Sequence, residues 1–338
     1  MKQFVRLSAV LSVLMILFFA FHAHAQNEIV RPANYSPIDM GVSPELQSIL
    51  TRSVAELIKS YPEGKFKPDE IAVTLIDLGD PKNIRWANVS GDRKLYPASV
   101  VKMFYMAALQ QQLQDGKVKL TKELERGQRD MIVDSSNEAT QYILDVLTET
   151  SSGSELPQKE FDIWQHKRNR VNRFFSSLGY SNINVNQKTF CEDAYGIEQQ
   201  SRNYKGENRN MLNTNATARL LAEIALRRFV TPERSEAMLD LMKRDPYRVT
   251  KETDDQSTGF TGKAVADGKL EGIKLWSKAG WTSKSRHDAA YVETPDGQKF
   301  VLVIFTENHA NERETIPSIA LKVMNGMKGA ASHAGISQ

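Results

Sequence analysis

The sequence predicts an α+β fold in which an antiparallel sheet, built from both termini and flanked by helices, carries an inserted all-helical lobe. Three observations carry that expectation. Strand-like runs fall near the start of the chain and return only near its end, the stretch between them has helical periodicity almost throughout, and no segment repeats. Strands separated by so much helix can share a sheet only if the two ends of the chain come together.

Each element has a local cause. Ser43-Pro44-Glu45 caps a helix on which Leu46, Ile49, Leu50, Val54, Leu57 and Ile58 recur at helical spacing. Glu70 to Leu78 reads as a strand, turned by Gly79-Asp80-Pro81 into a second, Ile84 to Val89. The next helix begins at Tyr96-Pro97-Ala98-Ser99 and is apolar nearly all round to Leu109, the pattern of a buried helix. Helical spacing continues over Thr121 to Arg129, Asn137 to Thr148, Phe161 to Leu178, Asn215 to Phe229 and Pro232 to Arg244. Ile273 to Trp281, Ser285 to Glu293 and Lys299 to Thr306 form a three-strand meander, with Thr294-Pro295-Asp296-Gly297 as a turn. A helix around Glu312 to Met327 follows, and the residues from Gly329 lack core positions and are expected to be a mobile tail.

Met1 to Ala25 has the pattern of a secretory signal: Lys2 and Arg6, an apolar run from Leu7 to Phe21, and Ala23-His24-Ala25 as a small-x-small cleavage site. The apolar run is short for a membrane span. A mature chain starting near Gln26, periplasmic or secreted and without a membrane attachment, is expected. Cleavage takes the formal charge from +3 to +1, with 42 basic against 41 acidic residues. That balance implies no broad attraction to nucleic acid or anionic lipid, so a small-molecule partner and a monomeric state are expected. Cys191 is the single cysteine, which excludes an internal disulfide and a thiolate metal cluster. His166, His287, His309 and His333 are scattered, so no metal or other cofactor is expected. The 26–338 segment is read as one catalytic domain, with an α/β lobe at about 40–98 and 262–328 and a helical lobe at about 99–261.

Three stretches carry chemistry. In Ser99-Val100-Val101-Lys102 the hydroxyl and the amine are one helical turn apart and share a face. A serine at the first turn of a buried helix, facing a primary amine, has the makings of a nucleophile, and an unpaired ammonium in an apolar helix asks for a polar site nearby. Val133-Asp134-Ser135-Ser136-Asn137 separates two helical segments; Ser135 suits proton relay and Asn137 suits a substrate amide, although the stretch also suits a plain helix cap. Trp276-Ser277-Lys278-Ala279-Gly280-Trp281-Thr282 is a strand with a lysine between apolar neighbours and a glycine that permits close approach of another chain or a ligand. A Gly-x-Ser-x-Gly elbow, the mark of α/β hydrolases, is absent.

In this order and on these elements, Ser99-Val100-Val101-Lys102, Ser135-Ser136-Asn137 and Lys278-Ala279-Gly280 resemble the S-x-x-K, S-D-N and K-T-G motifs of class A β-lactamases and penicillin-binding proteins. The likeness covers nearly the whole mature chain and implies a β-lactamase/transpeptidase-like fold. It implies that Ser99 is the acylated nucleophile, Lys102 a base or proton shuttle, and Ser135 the donor to the leaving nitrogen. Lys278 would support Ser135 and a substrate carboxylate, Asn137 would bind the acyl amide, and Arg286 would be a further carboxylate partner. The backbone N–H groups of Ser99 and Trp281, beside Gly280, would form the oxyanion hole.

The resemblance has departures. Ser136 replaces an acid and Ala279 replaces a hydroxyl residue, which bears on substrate recognition. Class A enzymes hydrolyse the acyl-enzyme with a glutamate on the loop that here spans Asn182 to Asn213, yet the Glu-x-x-Leu-Asn pattern is missing. Glu192, Asp193, Glu198 and Glu207 are available, and Glu198 falls nearest the expected place counting back from Thr214. A class A-like β-lactamase is the expectation; a D-Ala-D-Ala peptidase, a small esterase or amidase, and a non-hydrolytic penicillin-sensing or peptidoglycan-binding module share its acylation half.

Overall fold

The computed structural model describes residues 28–190 and 193–334; the expected leader, Cys191 and Glu192 lie outside the described residues. Seven strands form one sheet in the order β1-β3-β2-β7-β6-β5-β4. They are β1 Gly41–Val42, β2 Ile71–Asp77, β3 Arg85–Val89, β4 Lys243–Arg244, β5 Lys274–Trp281, β6 Ser285–Glu293 and β7 Lys299–Glu307. The first and last parts of the chain meet where β2 pairs antiparallel with β7, Ile71 opposite Thr306 and Asp77 opposite Phe300. All pairings are antiparallel except β1 with β3, so the sheet is mixed rather than purely antiparallel.

Both faces of the central strands are buried. On β2, Ile71, Val73 and Leu75 face a core shared with helix Pro44–Ser60 and helix Thr315–Ala334, whereas Ala72 and Ile76 face the helical lobe. β7 alternates in the same way, Phe300, Leu302 and Ile304 against Val301, Val303 and Phe305. That double burial is why β7 reads as a continuous apolar run instead of an alternating one. The first helix is held by its predicted cap, Ser43 Oγ accepting from Leu46 N at 3.3 Å, with Pro44 in the first turn.

Several expected elements change shape. Helix Phe161 to Leu178 is two helices, Gln158–Arg168 and Arg170–Ser177. They break at Asn169, whose Oδ1 accepts from Asn172 and Asn186. An asparagine side chain engaged with its surroundings offers the chain an alternative to continued helix. The terminal helix runs through Ala334, so the residues just after Gly329 are helical, not a tail from that point. Helices Ile197–Arg202 and Thr261–Asp267 and the two-residue strands β1 and β4 went unpredicted, being too short to show a period. No helix among the described residues is long and apolar enough to cross a membrane.

Candidate active site

Ser99 sits in a 3-10 turn, Ala98–Val100, that leads into helix Val101–Gln114. That helix is buried on every side from Val101 to Leu113, as its composition requires. Ala98 has φ +47° and Ser135 has φ +57°, left-handed values that cost a non-glycine residue energy and persist only where the surroundings enforce them. Ala98 directly precedes Ser99, and Ser135 is bonded by both Lys102 and Lys278. The turn is anchored by His287 on β6, which donates from Nε2 to Tyr96 O at 2.8 Å and accepts at Nδ1 from Thr306 N at 3.1 Å. This pair of bonds selects the neutral tautomer, and burial lowers the His287 pKa to about 4.

Gly280 explains how the β5 strand reaches the nucleophile. A Cβ there would lie 2.7 Å from Ser99 N and 2.9 Å from both Pro97 O and Val100 N, so only glycine lets the strand lie against the turn. Trp281, 39% exposed, follows at the rim and packs on Phe260 with ring centroids 5.6 Å apart.

Lys102 is fully buried, and its Nζ donates to Ser135 O at 2.5 Å, Asn137 Oδ1 at 2.9 Å and Ser135 Oγ at 3.3 Å. From the opposite wall Lys278, also fully buried, donates to Ser135 Oγ at 3.0 Å, to Gln256 Oε1 at 2.7 Å and to Ala279 O at 2.8 Å. The structure thus gathers three stretches that are far apart in sequence, bearing Ser99 and Lys102, Ser135 and Asn137, and Lys278 and Gly280. Burial pushes the Lys278 pKa well below that of an ordinary lysine, and the charges of Lys102 and Arg244 push it further, with Asp288 opposing.

The two departures from the motifs have structural explanations. Ser136 is a helix cap, its Oγ accepting from Ala139 N at 3.0 Å at the start of helix Asn137–Thr148. Ala279 is fully buried and its methyl belongs to the core beneath the sheet, with Phe260 and Ala264.

Two of the expected site residues, Arg286 and Glu198, are engaged in buried ion pairs. Arg286 is 1% exposed, its guanidinium held by Asp254 Oδ1 at 2.6 Å and Gly259 O at 2.8 Å and lying over the Phe260 ring. It ties the start of β6 to the segment that carries Asp254 and Gly259. Glu198, 1% exposed, is clamped by Arg168 with two bonds of 2.8 Å, accepts from Ser152 Oγ at 2.9 Å, and has Lys188 Nζ at 3.4 Å. Three of these contacts fall on Oε1 and one, from Arg168 Nη1, on Oε2, and neither Ser99 nor Lys102 is among the partners. It braces the loop against helix Gln158–Arg168. Among the other acids, Asp193 pairs with Arg202 and Glu207 lies 3.6 Å from Arg209, both largely exposed.

The loop nevertheless crosses the site. Tyr105, one turn beyond Lys102, donates from Oη to Gln187 O at 2.7 Å, and Gln141, one turn beyond Asn137, donates to Thr189 O at 3.1 Å. Arg209 lies over the Tyr96 ring at 4.8 Å. Gln256, Arg244 and His287 were missed from sequence because most of their hydrogen bonds go to backbone groups and none belongs to a motif. Arg244 donates from Nη2 to Ile132 O at 2.9 Å and to Ser277 O at 3.1 Å, tying the helical wall to β5, and burial lowers its pKa to about 10.

Comparison with known proteins agrees with this architecture. A structure titled as a β-lactamase from Sphaerobacter thermophilus is similar, with 21% identity, a TM-score of 0.58, and coverage of 82% of this chain and 96% of that one. PBP-A is similar at 18% identity and a TM-score of 0.58, over 87% of this chain and 100% of that one. A mutant of PBP-A in an acyl-enzyme complex with penicillin G matches at 18% identity and a TM-score of 0.58, over 87% and 99%. At these identities the likeness is one of fold. No curated protein sequence matches. The model of the beta-lactamase enzyme family matches residues 49–327, which span every element placed around Ser99, and the chain belongs to that family.

Proposed function

We propose that the protein is a periplasmic or secreted active-site-serine hydrolase, class A-like, that opens β-lactam amides through an acyl-enzyme on Ser99. The observation that carries this reading is Ser135 Oγ held between two buried lysines, 3.3 Å from Lys102 Nζ and 3.0 Å from Lys278 Nζ. A hydroxyl so placed passes a proton to a leaving nitrogen. Ser99 Oγ attacks the carbonyl carbon while its proton goes to Lys102, and the N–H groups of Ser99 and Trp281 hold the oxyanion. As the C–N bond breaks, Ser135 protonates the nitrogen and is resupplied through the lysines. Asn137, whose oxygen end is bound by Lys102, turns its amide nitrogen to the acyl group. Water then cleaves the ester and restores Ser99.

One observation favours a second reading, a penicillin-binding protein with a persistent ester: the acid nearest the expected place, Glu198, is locked in a buried ion pair. The test is Ser99→Ala with a chromogenic cephalosporin. Loss of turnover and of labelling by penicillin is expected, by orders of magnitude for one member of a catalytic unit; retained turnover sinks both readings. Glu192→Gln and Asp193→Asn in the same assay identify the acid of the second step.

A further inference from the structure

Gln256 belongs to none of the three motifs, yet it touches both walls of the site. It lies between β4 and helix Thr261–Asp267, and only 8% of it is exposed. Its Oε1 accepts from Lys278 Nζ at 2.7 Å and from Ala279 N at 3.3 Å. Its Nε2 donates to Val133 O at 2.8 Å and to Ile132 O at 3.3 Å. A primary amide is suited to this, because one end accepts and the other donates.

We infer that Gln256 is a positioning residue that aligns Lys278 with Ser135, a neutral bridge between the strand bearing the lysine and the turn bearing the serine. The inference rests on the proposed role of Ser135 and Lys278 as a proton relay. An ammonium has three N–H donors, and Lys278 commits them to Gln256, Ser135 and Ala279. Gln256 therefore fixes the rotation of the amine that leaves one donor on Ser135 Oγ. Its other end holds the carbonyls two and three residues before Ser135, where the chain enters its left-handed turn.

The charged groups facing Lys278 are Lys102 from the helical wall, Arg244 from β4 and Asp288 from β6. The Arg244 cation, and Lys102 whenever it holds the proton taken from Ser99, disfavour the ammonium, so the acceptor supplied by Gln256 counts toward keeping it protonated. Removing that acceptor lowers the pH at which Lys278 loses its proton, and replacing it with a carboxylate raises it.

The experiment compares wild type, Gln256→Met and Gln256→Glu in the full mature protein. The Lys278 Nζ titration is followed by NMR on 15N-lysine-labelled protein, and acylation by a chromogenic cephalosporin is measured against pH. With Met, the titration and the alkaline limb of acylation move down by about one pH unit, and acylation at neutral pH falls about ten-fold or more. With Glu, both move up by a similar amount. Opposite shifts are the signature of direct contact, since mere loosening of the fold would move both variants the same way. An unmoved titration in both variants, or shifts of one sign that follow a fall in Tm, overturns the inference. A titration that shifts while acylation stays at the wild-type rate overturns the relay reading and leaves the hold of Gln256 on Lys278 in place. If Gln256→Met fails to fold, the Glu variant alone decides by the sign of its shift.

Discussion

Replacing Gly280 with alanine tests whether the contact between β5 and the Ser99 turn sets the geometry of the chemistry. The added Cβ would stand 2.7 Å from Ser99 N, against backbone atoms that cannot swing aside. An ordinary contact needs about 3.5 Å, so strand and turn must separate by roughly 0.8 Å. Overpacking of this kind costs about 1–3 kcal/mol, small enough for the protein to remain folded. The same displacement moves the N–H groups of Ser99 and Trp281 relative to each other, and a misplacement of about 1 Å costs about 100-fold in rate. Stopped-flow acylation by a chromogenic cephalosporin and thermal melting read the two effects separately. The expected result is a Tm lower by a few degrees and acylation slower by about two orders of magnitude. Wild-type acylation by a folded Gly280→Ala protein would refute the reasoning.

Three further outcomes follow from the site. Glu198→Gln removes one of the two carboxylates that pair with the fully buried Arg168, leaving Asp145 at 3.3 Å, so a loss of about 3 kcal/mol, the low end for a broken buried pair, is expected in urea unfolding while the ester on folded protein decays at the wild-type rate; slower decay would place Glu198 in catalysis. Lys102→Arg abolishes acylation because a guanidinium stays protonated, whereas Lys278→Arg is milder; equal losses in single-turnover assays would count against this division of labour. His287 is neutral when folded, with a pKa of about 4 against about 6.5 unfolded, so the unfolded chain binds the extra proton between those values. Its contribution is intact above pH 6.5 and declines as pH falls toward 4, by roughly 3 kcal/mol in all; urea midpoints across that range in wild type and His287→Gln should differ in slope, and parallel curves would contradict the assignment.

The long elements and the three motifs were legible because their signals are local: a cap with helical spacing from Ser43, a helix apolar to Leu109 apart from Lys102, a lysine and a glycine in one strand. What the sequence hid depends on distant partners. Glu198 and Arg286 have the right residue type at a plausible spacing, but their roles were decided by Arg168 and Asp254, far away in the chain. His287 acts on a carbonyl and an N–H group, which every residue has, and Gln256 joins such groups to the amine of Lys278, 22 residues away, so no local pattern of side chains announces them. The two-residue strands β1 and β4 exist only because β3 and β5 offer them an edge.

The central claim is that Ser99 becomes acylated, and intact-protein mass spectrometry of the protein mixed with benzylpenicillin measures it directly. The account predicts a single covalent adduct that maps to the peptide containing Ser99, is missing in Ser99→Ala, and disappears as substrate is consumed. A folded protein that shows no adduct at any time, or an adduct of equal yield in Ser99→Ala, would contradict it.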